Sequence, residues 1–210
     1  MTALKGYENI VEYDDSSISM IPGKTMLTYR WQGGTVATHI CGDYNYENIV
    51  AALTIGEHFK VALSDMHQAI SEYTPSNNRS QITNTAKNTL IMDAYNANPS
   101  SMAAALDSFS LMESGSKIAL LGDMRELGDN SVHEHVKVVN RIAESDFKAY
   151  LVGEEFAKAL AETGGCANVL GHYATSDELA SYLNGHAISG SCVPVKGSRG
   201  IQMEKVIPSL

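Results

Sequence analysis

The chain has 210 residues, 44% hydrophobic and 19% charged, a composition typical of an ordinary globular protein with one sizeable core and room for a smaller one. Fifteen basic residues against twenty-four acidic ones give a net charge of −9 with no Lys/Arg cluster, which excludes nucleic acid as a main partner. The sequence shows no export signal and no apolar run of about eighteen residues, so we expect no membrane span.

The first 75 residues predict a small α+β unit. MLTYRW at 26–31 and TVATHIC at 35–41 flank a QGG turn as the two strands of a hairpin do. The segment NYENIVAALTIGEHFK then predicts a helix whose apolar face carries Ile49, Ala52, Leu53 and Gly56. The polar stretch TPSNNRSQITNTAKN at 74–88 predicts a linker or a crossing between this unit and the next.

From about Lys87 onward the pattern changes to short apolar runs that alternate with amphipathic segments. The strand candidates are TLIMDAY, KIALLGD, FKAYLVG, NVLGHY and SCVPVKG. Parallel strands need crossover connections, and these are usually helices. Residues 76–210 therefore predict a Rossmann-like, mostly parallel α/β sheet with helices on both faces.

Two of the intervening helices have an apolar face that the sequence predicts. Residues 99–113 place Met102, Leu106, Phe109 and Met112 together, and residues 132–144 place Val132, Val136, Val139 and Ala143 together. Helix starts are indicated by Asn98 before Pro99, by Ser131 with Glu134, and by Thr175 with Glu178.

Polar residues and glycines gather where the predicted strands end. These positions are Asp93, Gly122 with Asp123, Gly153, Gly171 with His172, and Lys196 with Gly197. In open parallel sheets ligands bind outside the carboxyl ends of the strands, so this edge is the predicted site. From the residues alone, Asp93 is as compatible with capping a helix as with binding the hydroxyls of a ribose.

Other candidate sites are weaker. PGKT at 22–25 has Ile18 where a phosphate-binding loop needs glycine, and a turn before a strand explains it better. His133 and His135 are two apart on a predicted helix and cannot converge on one metal ion, so no metal site is predicted. Cys41, Cys166 and Cys192 lie far apart in apolar text, which favours buried thiols and a reducing cytoplasm.

Three blocks carry a family resemblance: DAYNANPSSM at 93–102, LLGDMRELG at 120–128 and VKGSRGIQME at 195–204. Their order and spacing resemble the C-terminal domain of the Mur ligases. Upstream, GDYNYENIVAAL at 42–53 is similar to the G-x-H-N-x-x-N-x-x-A-A segment of the family's central ATP-binding domain, with Tyr44 in place of the usual His. The resemblance implies that residues 1–75 end the central domain and that residues 76–210 form the C-terminal domain.

The resemblance also implies ligands and site residues. ATP would be contacted by Asn48 on its adenine side and by Arg79 and Asp93 at its ribose or phosphates, with Mg²⁺ held mainly by a preceding part of the ligase. Asn96 and Asn98 would face the substrate, and the loop after the last strand would bind a peptide carboxylate through Lys196, Ser198 and Arg199. No residue of this chain is assigned a catalytic role.

The blocks are most similar to the branch of the family that joins D-alanyl-D-alanine to UDP-N-acetylmuramoyl-tripeptide in peptidoglycan synthesis. Its reaction passes through an acyl phosphate, so the chain is expected to act as a closing lid together with the rest of a ligase chain. The phosphate-binding loop and the sugar-binding domain would lie in that other part. A sister Mur-type or folylpolyglutamate-type ligase, or a binding module without catalysis, are the alternatives.

Overall fold

A computed structural model describes residues 16–22, 24, 26–75, 81–112 and 114–210, which fold around two sheets. The first unit, residues 16–75, has an antiparallel sheet in the order β1-β2-β3 and two helices that follow it. Its elements are β1 Ser19–Met20, β2 Met26–Trp31, β3 Gly34–Cys41, α1 Tyr46–His58 and α2 Leu63–Glu72. The predicted hairpin and the helix after it are confirmed, and α2 is an element that the sequence analysis missed.

The core of the first unit lies between the hairpin and its helices. Alternate residues of β2, namely Leu27, Tyr29 and Trp31, are buried because successive strand side chains point to opposite faces. On α1 the buried residues are Ile49, Val50 and Leu53. The predicted face was wrong at Ala52, which is exposed, whereas Gly56 is half-buried and lies against the core residue Met66.

The second unit, residues 81–210, contains a six-stranded sheet in the order β4-β5-β9-β6-β7-β8. All neighbouring strands are parallel except β4 and β5. The strands are β4 Gln81–Asn84, β5 Thr89–Asp93, β6 Ile118–Gly122, β7 Lys148–Val152, β8 Val169–Tyr173 and β9 Cys192–Lys196. The helices are α3 Pro99–Leu111, α4 Ser131–Ala143, α5 Glu154–Thr163 and α6 Ser176–Gly185.

Helices cover both faces of this sheet, which confirms the predicted fold class. Helices α3, α4 and α5 pack on one face together with Ile91 of β5. Helix α6 and the turns at 203–209 pack on the other face with Leu90 and Met92. Strands buried on both sides are near-continuous apolar runs, as β9 is. Among the helices of the described residues, none combines the length and the apolar character that crossing a bilayer requires.

The predicted linker at 74–88 is wrong over its second half. Residues Gln81–Asn84 form β4, which pairs antiparallel with β5 in a register that sets Gln81 opposite Met92. A polar strand is tolerated there because β4 is at the edge of the sheet and has solvent on one side. Residues 76–80 of the predicted linker lie outside the described part of the chain.

The caps are mostly as predicted. Asn98 caps α3: its Oδ1 accepts from the Ser101 N–H at 2.8 Å, while the Ser101 hydroxyl bonds back to the Asn98 N–H. Thr175 caps α6 through the Glu178 N–H. The cap predicted at Ser131 is wrong, because a turn at Gly128–Asn130 leads directly into α4 and Ser131 is already helical.

The buried face of α4 also differs from the predicted one. Its buried residues are His135, Val138, Val139 and Ile142, whereas Val132 and Val136 are half-buried and Ala143 is exposed. The valine pattern misled the prediction because a polar residue takes a core position. His135 can do so because both ring nitrogens have hydrogen-bond partners.

Replacing Asn98 separates its capping role from a ligand-binding role. Asn98→Ala removes the acceptor for the Ser101 N–H and should lower the free energy of unfolding by about 1 kcal/mol, measured by urea denaturation. Asn98→Asp keeps the acceptor and should retain most of the stability. Equal losses in both variants would contradict a role as a helix cap.

Candidate functional site

The carboxyl edge of the second sheet is organised by a buried ion pair. Asp93 ends β5 and Lys196 ends β9, and the two residues are partners in the parallel register. Lys196 Nζ lies 2.5 Å from Asp93 Oδ2, and the two side chains are 3% and 18% exposed. Asp93 therefore lies at the predicted edge of the sheet. Its partner is Lys196, for which a contact with substrate was predicted.

Lys196 also fixes the turn between β5 and α3. Its ammonium donates a second hydrogen bond, of 3.2 Å, to the Asn96 carbonyl oxygen. Asn96 itself closes a local turn, because its side-chain oxygen accepts from the Ala97 N–H at 2.9 Å. Residues 93–98 thus form a turn fixed by hydrogen bonds, with Asn96 exposed at its surface.

Tyr44 brings the first unit to this edge. It lies in the short helix Asp43–Asn45, and its hydroxyl is 3.5 Å from Asp93 Oδ2, a long hydrogen bond. The position depends on Gly42, which has φ +86°; a Cβ there would lie 2.3 Å from the Tyr44 ring. The residue that departs from the family pattern therefore reaches the carboxylate predicted to bind nucleotide.

The other predicted nucleotide residues are less constrained. Asn48 is exposed in the first turn of α1, where its amide donates to the Asn45 side chain at 3.0 Å. Arg79 lies outside the described residues. Nearby, the Cys41 thiol is buried, as expected. This burial, with smaller contributions from Cys192 and Asp93, raises its pKa to about 12.

Ser198 joins two loops of the edge. Its hydroxyl donates to the Ala97 carbonyl at 3.2 Å and accepts from the Arg125 N–H at 2.8 Å, and the side chain is buried. Arg199, by contrast, is exposed and its guanidinium lies 5.7 Å from the centre of the Tyr95 ring. Of the three residues predicted after β9, Arg199 is exposed, whereas Lys196 and Ser198 are buried.

A cleft of about 930 Å³ opens beside this network. Its walls are the loop 123–129, the start of α5 and the turn Ala174–Thr175. The charged residues that line it are Asp123, Arg125, Glu126, Asp129, Glu154, Glu155 and Lys158. Asp123 and Gly153 were predicted as strand ends, with no ligand assigned to them. A cleft formed by three separate loops has no linear motif from which it could be predicted.

Asp123 builds one wall of the cleft by capping α5. Its two carboxylate oxygens accept the Glu155 and Phe156 N–H groups, both at 3.0 Å. Gly153 precedes the helix with φ +120°, and a Cβ there would lie 2.2 Å from the carboxylate, so only glycine permits this approach. Burial raises the pKa of Asp123, while the two N–H donors and His135 oppose that shift.

The two histidines His133 and His135 have different surroundings. His133 is exposed on α4, whereas His135 is buried and hydrogen-bonded. Over the described ranges, no three His, Cys, Asp or Glu side chains come together as possible metal ligands.

A family model for the glutamate ligase domain of Mur ligases matches residues 78–199. The chain belongs to the Mur ligase family. A UDP-N-acetylmuramoyl-tripeptide-D-alanyl-D-alanine ligase from Treponema pallidum is 31% identical over 183 residues, which are 86% of this chain and 40% of that protein. The matched residues of this Mur ligase chain thus correspond to less than half of that relative's length.

Solved structures agree with this membership. A MurF from Acinetobacter baumannii superposes with a TM-score of 0.77 at 27% identity, covering 93% of this chain and 44% of that one. A MurF ligase from Thermotoga maritima in complex with ADP gives a TM-score of 0.75 at 19% identity, covering 92% and 45%. At 19% identity, the likeness to the Thermotoga maritima structure shows the fold alone.

Removing Lys196 tests whether the ion pair organises the edge of this Mur ligase chain. Lys196→Met leaves a mostly buried carboxylate without its partner and should cost about 3 kcal/mol in urea denaturation. The control is Lys205→Met, since Lys205 pairs with Asp177 between exposed side chains and should cost less than about 1 kcal/mol. Equal effects of the two substitutions would contradict the structural role of Lys196.

Proposed function

We propose that this chain is the C-terminal portion of an ATP-dependent ligase that joins D-alanyl-D-alanine to UDP-N-acetylmuramoyl-tripeptide. The observation that carries the proposal is the position of Asp93, at the carboxyl edge of the sheet and within reach of Tyr44 from the first unit. A carboxylate held where two units meet suits a ligand bound between them. The relatives named for this reaction support the choice of substrates.

ATP is proposed to lie between the two units. Lys196 and Tyr44 both approach Oδ2 of Asp93, so Oδ1 is the oxygen that would accept a hydrogen bond from a ribose hydroxyl. Asn48 is exposed in the first unit and would meet the adenine. Arg79, which lies outside the described residues, is proposed to contact the ribose or the phosphates. One solved relative of the same fold was obtained with ADP. In this proposal Mg²⁺ is held mainly by the preceding part of a ligase.

The peptide substrates are proposed to meet the loops that follow β5 and β9. Arg199 is an exposed cation of this region, and a guanidinium suits a peptide carboxylate. Asn96 is exposed in the same turn. Lys196 and Ser198 act here through the turn that they fix, since both are buried and hydrogen-bonded, and Asn98 acts as the cap of α3.

The cleft between loop 123–129 and α5 extends this surface. It offers a guanidinium at Arg125 and carboxylates at Glu126 and Glu154. A dipeptide substrate carries one ammonium and one carboxylate, so a cleft of mixed charge fits it better than a purely basic one would. In the proposed reaction this face of the lid presents the amine, while the phosphoryl chemistry is carried out by groups of the other part.

A chimera tests the proposal directly. The matching C-terminal portion of the Acinetobacter baumannii relative is replaced by this chain, and release of phosphate from ATP is followed with the tripeptide precursor present. We expect release that depends on D-alanyl-D-alanine and is absent with L-alanyl-L-alanine. Arg199→Gln in the chimera should raise KM for a peptide substrate about tenfold, since a charged hydrogen bond is lost.

Two outcomes would contradict the proposal. A folded chimera that uses a single amino acid in place of the dipeptide would favour a sister ligase. A folded but inactive chimera, together with nanomolar binding of nucleotide to the chain by itself in calorimetry, would favour a binding module.

A further inference from the structure

His135 is a buried titratable side chain that the proposed function does not use. It is 0% exposed in α4, and its ring packs edge-on against Phe156 of α5 at 4.6 Å between ring centres. A fully buried histidine at the junction of two helices and a strand end is costly unless its polar atoms are bonded. The hydrogen-bond partners of the two ring nitrogens therefore indicate which parts of the fold His135 holds in place.

The hydrogen bonds of His135 define its tautomer. The Met124 N–H donates to Nε2 at 3.0 Å, so Nε2 carries a lone pair. Nδ1 lies 2.7 Å from the Ser131 carbonyl oxygen and must be the nitrogen that bears the hydrogen. The arrangement requires a neutral ring.

This ring holds the first residues of the cleft wall. Met124 is fixed by His135, and the next N–H, that of Arg125, is fixed by the Ser198 hydroxyl. Ser198 in turn donates to the Ala97 carbonyl in the turn after β5. One histidine thus anchors a line of hydrogen bonds that runs from α4, through the cleft wall, to the turn beside Asp93.

The charges around the ring favour a second arrangement once it gains a proton. Asp123 Oδ1 is 3.6 Å from Nε2, beyond a hydrogen bond to the neutral ring but within the range of an ion pair. On the α5 side stands Glu155, which is paired with Lys158 and also hydrogen-bonded to Ser131. With a hydrogen on Nε2, the ring could no longer accept the Met124 N–H. That hydrogen would point to the Asp123 carboxylate instead.

We propose that His135 is a positioning residue with a proton-dependent action on the cleft. The neutral ring fixes the Met124 N–H and with it the loop 123–129. Uptake of a proton from solvent at Nε2 breaks that hydrogen bond and replaces it with an ion pair to Asp123, which frees the wall of the cleft. The consequence for substrate rests on the proposed function, whereas the exchange of hydrogen bonds does not.

Nuclear magnetic resonance of the whole 210-residue chain tests this exchange without any ligand. At neutral pH the ring nitrogens should show the Nδ1–H tautomer. As the pH is lowered, the gain of a proton by the ring, followed through its nitrogen shifts, should coincide with a loss of exchange protection of the Met124 amide by about tenfold. An Nε2–H tautomer at neutral pH, or ring titration that leaves Met124 protected, would overturn the proposal.

Substitutions separate a proton-dependent role from simple packing. His135→Gln keeps an acceptor for the Met124 N–H but cannot titrate, so Met124 should stay protected over the whole pH range. His135→Phe fills the space without an acceptor, so Met124 should be unprotected at every pH. The matched control His133→Gln, on the exposed side of the same helix, should behave as the unsubstituted chain does.

If His135→Phe does not fold, the tautomer and the pH series of His135→Gln still decide the matter. A pH-dependent Met124 amide in His135→Gln would contradict the proposal. These readouts are independent of peptide binding, so a failed chimera and a failed switch remain distinguishable.

Discussion

The ion pair between Asp93 and Lys196 is the constraint on which the edge of this molecule depends. A buried pair repays the loss of hydration only when its remaining polar atoms are also bonded. Here the Asn96 carbonyl takes a further N–H of Lys196, and the Tyr44 hydroxyl approaches the same carboxylate oxygen. These contacts fix the turn that leads into α3. They also bring Tyr44 of the first unit to the end of β5, so the two units meet at this edge of the sheet.

Asp123 organises the next part of the same edge, where its carboxylate accepts hydrogen bonds from backbone N–H groups. From the end of β6, its carboxylate caps α5, and this close approach is possible because residue 153 is glycine and has no Cβ. The backbone oxygen of Asp123 also accepts the Ser198 N–H at 3.0 Å. Ser198 then connects this loop to the turn beside Asp93. The ends of β5, β6 and β9 are thus held as one frame. The exposed cations Arg125 and Arg199 stand on this rigid support, which the proposed binding of charged peptides needs.

Much of this architecture could be predicted because it is encoded locally. The five parallel strands follow from apolar runs, and the α3 cap follows from Asn98 before Pro99. Strand β4 could not be predicted, since an edge strand is stabilised by pairing with β5 and its own sequence is polar. The face of α4 was mistaken because the core position of His135 depends on a distant N–H, that of Met124. Likewise Lys196 looked free for substrate because its partner is more than a hundred residues away in the sequence.

Titration of the chain with ADP, followed by nuclear magnetic resonance, tests most directly the claim that this edge is half of a nucleotide cleft. The account predicts shift changes in both units at once, at Asn48 and Tyr44 in the first and at Asp93 and its turn in the second. It also predicts that these changes weaken together in Lys196→Met, because the carboxylate is then no longer held. Shift changes confined to the opposite end of the strands, near Asn84 and Thr89, or an Asp93 carboxylate that does not respond at saturation, would contradict it.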